Sequence, residues 1–117
     1  MLFVIHCEDG PQAAVRRQLH YAAHKAHLRS QDQGVRIVVA GPLSAGDPPE
    51  HVGSLLIVEA PSIERVRQFN RNDPFVARDV WSSVRISAFS MTTDIRQAGH
   101  LVPPRAANTS LVQLKGR

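Results

Sequence analysis

The chain has 117 residues, 43% of them apolar and 21% charged, a mix expected of one globular domain and one that excludes wholesale disorder. Its single cysteine, Cys7, excludes an internal disulfide framework and a four-cysteine zinc site, and it points to a reducing, cytoplasmic setting. The net charge of +4 is concentrated at the end: residues 1–90 carry ten basic and nine acidic side chains, whereas residues 91–117 carry four basic ones against Asp94 alone.

Residues 2–7, LFVIHC, are apolar and β-branched and predict a strand ended by the turn cluster EDGPQ. The apolar run Leu2 to Ile5 has no basic region before it and is too short for a signal peptide. No stretch reaches the roughly 18 apolar residues of a membrane span. Residues 12–31 hold five alanines and neither Gly nor Pro, which predicts a helix stopped by Gly34. VRIVVA, residues 35–40, predicts a second strand closed by Gly41-Pro42, followed by a loop over 43–52. GSLLIVEA, residues 53–60, predicts a third strand, antiparallel to the second because the connection is short. Ser62 is placed to cap a helix running to about Asn70, and Asp73-Pro74 to open a short further turn. VRISAF, residues 84–89, alternates as a fourth strand.

The order β-α-β-β-α-β predicts an α+β, ferredoxin-like subunit. Two helices cover one sheet face and leave the other bare, so a homodimer is expected to cover it. Residues 91–117 read as a separate basic tail. Aromatic residues make up 5% of the chain and none lies beyond Phe89, so the tail lacks the stacking residues of a nucleic-acid binder.

Four features bear on chemistry. His20, His24 and His27 share one face of the first helix, a spacing that invites a metal. Lys25 beside them repels a cation and no Glu stands between them, so no metal is expected. The same helix carries two stripes, Val15-Leu19-Ala22-Ala26 and Tyr21-His24-Leu28; periodicity alone buries the first. Asp73 suits a helix cap, and Ser54 a plain strand position. Cys7 has no activating neighbour, since His6 points to the opposite sheet face, and it reads as an inert thiol. No glycine cluster has the spacing of a phosphate loop, and no cofactor is expected.

The runs DQGVRIVVAGPL and GSLLIVEAPSIERVRQFNRNDPFVARDVWSSVRISAF resemble the YCII-related (YciI-like) family. AAHKAHL is similar to that family's RPAHLAYL-type helix motif and sets its histidine at His24. The family's AGP falls on Ala40-Gly41-Pro42, its GS on Gly53-Ser54 and its DP(F/Y) on Asp73-Pro74-Phe75, over residues 1 to about 89. The resemblance implies a dimeric α+β barrel with a His24–Asp73 pair in a cleft. It also implies relatives such as muconolactone isomerase and chloromuconolactone dehalogenase, which move protons on small carbonyl compounds. Two departures stand out: the motif's Arg-Pro is Tyr21-Ala22, and a Gly common after DP is Asp79. An anionic substrate would then need another cation, with Arg36 and Arg85 as candidates.

The expected function is a small cofactor-independent lyase or isomerase acting on a small-molecule carbonyl compound. His24 would be base and acid, because imidazole takes either protonation state near neutral pH. Asp73 would hold its tautomer. Ser54 would bind a substrate oxygen, with Tyr21 and Phe75 walling the pocket. The alternatives are a non-catalytic ligand-binding or accessory dimer, and an interaction module docking through its tail.

Overall fold

The computed structural model describes residues 1–96. The elements follow the expected order: β1 (Leu2–Asp9), α1 (Ala13–Arg29), β2 (Arg36–Ala45), β3 (Glu50–Glu59), α2 (Ile63–Arg71), the single turn α3 (Pro74–Ala77) and β4 (Trp81–Phe89). The strands form one antiparallel sheet in the order β2-β3-β1-β4, the ferredoxin-like arrangement. Of the basic tail expected over 91–117, residues 97–117 lie outside the described ones.

Period-2 alternation sorts the sheet into two faces. Phe3, Ile5 and Cys7 of β1 and Leu56 and Val58 of β3 point to the helix side and are buried. They pack with Val66 and Phe69 of α2, Phe75 of α3 and Val80 as one core. Ser62 caps α2 as expected, its Oγ accepting from the Arg65 N–H at 3.3 Å. The alternate residues Leu2, Val4, His6, Leu55 and Ile57 are half-buried, and no helix or strand of the described residues stands over them.

Three features differ from the sequence expectation: the β2–β3 connection, the end of α1 and the facing of α1. The loop expected over 43–52 is mostly strand: β2 and β3 run on as a hairpin to Ala45 and Glu50, joined through Gly46 at φ +92°. Pro42 does not end β2, because β2 is an edge strand and needs no N–H there for a further neighbour. The first helix ends at Arg29 rather than 31, since Ser30 Oγ donates to the His27 carbonyl at 2.6 Å and accepts from the Asp32 N–H, taking over the backbone's partners. Gln31 and Gln33 then turn left-handed, at φ 57° and 61°.

The third difference concerns the facing of α1. The apolar stripe that periodicity would bury lies outward, with Val15 64% and Leu19 71% exposed. The inward side carries Ala13, Arg17, His24, His27 and Leu28. Specific polar partners on the sheet and α3, described next, outweigh the gain from burying a stripe with only two large apolar side chains, Val15 and Leu19.

Candidate active site

α1 and the β2–β3 end of the sheet enclose an open cleft of about 1100 Å³. His24, Tyr21, Ser54 and Phe75 all line it, as do Arg17, Lys25 and Leu56. Asp73 stands behind His24 rather than in the wall, 1% exposed. The five residues singled out in the sequence are therefore brought to one place.

His24 Nδ1 lies 2.8 Å from Asp73 Oδ1 and 3.0 Å from Oδ2. Asp73 gets there as the N-cap of α3: Pro74 opens that turn, and the Phe75 N–H donates to Asp73 Oδ1 at 2.9 Å. The imidazole is also fixed in its plane. It stacks on the Phe75 ring with centroids 3.8 Å apart and 4° between planes, and Trp81 meets both rings edge-on. A carboxylate only accepts, so Nδ1 carries a proton, and in the neutral ring the lone pair is on Nε2. Nε2 has no partner among the described residues. Among the described residues the enclosed side-chain atoms without partners are Asn70 Nδ2 and Trp81 Nε1, and Nε2 is not one of them. His24 is part of the cleft wall.

Arg17 and Asp9 complete the polar wall, and the sequence reading did not single out either. Arg17 Nε donates to Asp9 Oδ2 at 3.1 Å and Nη2 to Asp9 Oδ1 at 2.8 Å, a bidentate pair. Nη2 also reaches the Gly53 carbonyl and Ser54 Oγ, each at 2.9 Å. Signals for both were present. Arg17 is seven residues, two turns, before His24 on the same helix face, and Asp9 continues the inward parity of Phe3, Ile5 and Cys7. The cations named earlier lie elsewhere: Arg36 pairs with Glu59, and Arg85 sits opposite His6 in the register, on the bare sheet face. The cleft's own cations are Arg17 and Lys25.

The three helix histidines do not converge on a metal. His24 is held by Asp73, and His27 Nε2 donates to the Phe69 carbonyl at 2.8 Å while its ring stacks on Phe69. Among the described residues no group of three His, Cys, Asp or Glu is placed to hold an ion. Cys7 is fully buried; burial first, and the Asp73 charge second, push its thiol far above the ordinary range, so it is no nucleophile at neutral pH. No helix of the described residues is long and apolar enough to cross a membrane.

The chain is 33% identical to the 5-chloro-2-hydroxyhydroquinone dehydrochlorinase of Burkholderia phenoliruptrix AC1100, solved in complex with 2,5-dihydroxybenzoquinone. That match has a TM-score of 0.66 over 77% of this chain and 94% of that one. It is 31% identical to Protein YciI of Escherichia coli O6:H1 over 94 residues, 76% of this chain and 96% of that protein. It is 25% identical to the xenovulene A biosynthesis cluster protein asL2 of Sarocladium schorii over 97 residues, 77% of this chain and 84% of that protein. The YCII-related domain profile matches residues 1–90, and the chain belongs to that family.

Proposed function

We propose that this protein is a small acid–base enzyme of lyase or isomerase type, acting on a small ring compound that carries carbonyl or hydroxyl oxygens. The observation that carries the reading is the buried His24–Asp73 contact at 2.8 Å in the wall of the cleft. Asp73 holds the tautomer, so Nε2 is the base. It takes a proton from the substrate; the freed electron pair forms the new double bond as the leaving group departs, or shifts the existing one. The imidazolium, stabilised by Asp73, then returns the proton to product or leaving group. Ser54 and Tyr21 bind substrate oxygens and Phe75 walls the ring. None of these steps draws on a cofactor.

The 33% identical dehydrochlorinase supports an elimination of this kind. Two further inferences accompany the reading. The bare sheet face pairs with a second copy, making a homodimer. Residues 1–90 are the working domain in a reducing, cytoplasmic setting, with residues 91–117 as an appended tail.

The test supplies 5-chloro-2-hydroxyhydroquinone and follows chloride release. The wild type is expected to release chloride, and His24→Gln to slow release at least about 100-fold. The variant should still bind 2,5-dihydroxybenzoquinone and keep its thermal melt. Turnover that survives His24→Gln would remove His24 from the chemistry.

A further inference from the structure

The hydrogen-bonding capacity of Arg17 is used unevenly. Its Nε and Nη2 edge is saturated by Asp9, the Gly53 carbonyl and Ser54 Oγ. Nη1 has no acceptor among the described residues. Nor is it among the enclosed, unpartnered side-chain atoms of the described residues, which are Asn70 Nδ2 and Trp81 Nε1. The Arg17 side chain is 12% exposed and lines the cleft. Ser54 Oγ accepts from Nη2, which leaves its own proton to donate, and Ser54 is buried at the same wall. Two donors, Nη1–H and Oγ–H, therefore stand together with no acceptor among the described residues.

We propose that Arg17 and Ser54 form an oxyanion subsite that selects ligands carrying one ionised ring oxygen, a phenolate or enolate, over their neutral isosteres. The proposal deepens the acid–base reading and rests on it for where the ligand lies. A charge-assisted bond to an anion is roughly twice as strong as one to a neutral acceptor, and more so at a wall shielded from water. Pro42 pairs with Ser54 and Ala40 with Leu56 across β2 and β3, and with Phe75 they give the cleft apolar wall that suits a flat carbon body. Phe75 ties the subsite to the base: its ring stacks on His24 and lies 5.5 Å from Arg17 Cζ, so one ring-sized ligand reaches both. Asp9 balances the guanidinium charge and tunes the subsite without touching the ligand.

The competing role for Arg17 is a strut joining α1 to β1 and β3. The dye 4-nitrophenol separates the two, because its phenolate absorbs visible light and its phenol does not. Bound to the full-length wild type, the dye is expected to ionise about one pH unit lower than free in solution. Uncharged 4-nitroanisole should bind at least about tenfold more weakly. Arg17→Gln should cancel the shift, and Ser54→Ala should reduce it. Asp9→Asn removes the counter-charge and should enlarge it. A strut predicts the opposite pattern: Arg17→Gln and Asp9→Asn both lower the melting temperature and leave the dye's ionisation where the wild type has it. That pattern, a bound dye with no shift, equal binding of the two probes, or no binding at millimolar dye would overturn the subsite. His24→Gln should keep the shift while turnover is lost, so failure of the subsite and failure of the acid–base reading give different results.

Discussion

Asp73 Oδ1 accepts from two parts of the fold at once, the His24 ring at 2.8 Å and the Phe75 backbone at 2.9 Å. The first bond sets chemistry and the second caps α3. Asp73→Asn separates them. The amide oxygen at Oδ1 still accepts from Phe75 and from His24 Nδ1, but the NH₂ that replaces Oδ2 carries no negative charge and turns a donor toward the ring. The imidazolium loses the carboxylate that stabilises it, although no ring has moved. The expected outcome is chloride release as low as in His24→Gln, with a stability loss of about 0.5–2 kcal/mol from the weakened cap in a thermal melt. Asp79 shows the same dependence on local backbone: it sits left-handed at φ 58°, a conformation Asp tolerates better than most, which is why a glycine can be replaced there.

At the scale of elements, β3 approaches β1 so closely at Gly53 that a Cβ there would collide with the Cys7 carbonyl oxygen. Gly53→Ala must push the two strands apart, and the Gly53 carbonyl that Arg17 holds moves with them. A loss of about 1–3 kcal/mol is expected by chemical denaturation, together with weaker ligand binding. The strands and helices were legible because period-2 and capping signals agree along most of the chain, as at Phe3-Ile5-Cys7 and Ser62. Where they failed, a non-local partner decided. Pro42 reads as a stop until β2 is known to be an edge, and Ser30 ends α1 through its own hydroxyl. The facing of α1 could not be read from spacing, because the inward stripe is held by Asp9, Asp73 and Phe75, which lie far from it in the sequence or on other elements. Arg17 was missed for the same reason: its role exists only once Asp9 and Ser54 stand beside it.

On the scale of the whole molecule, the sheet divides the work between its faces. The helix side holds the core and the dyad. The other side presents Leu2, Val4, Leu55, Ile57 and Phe89 half-buried and close together, edged by the Arg36–Glu59 pair. An apolar patch of that kind on a chain of this size marks an association surface, and a second copy offers the same patch in return. Ile57 sits within it, flanked by Val4 on β1 and Val39 on β2. Burying such a side chain is worth about 1.5–3 kcal/mol, and a twofold interface counts it twice. Ile57→Asp replaces that gain with a charge facing its own copy. The wild type is therefore expected to sediment as a dimer at micromolar concentration and Ile57→Asp as a monomer. Ile57 points away from the cleft, and His24, Asp73, Arg17 and Ser54 all come from one chain, so the monomeric variant should still bind 2,5-dihydroxybenzoquinone. A wild type that sediments as a monomer would show that the bare face has some other use.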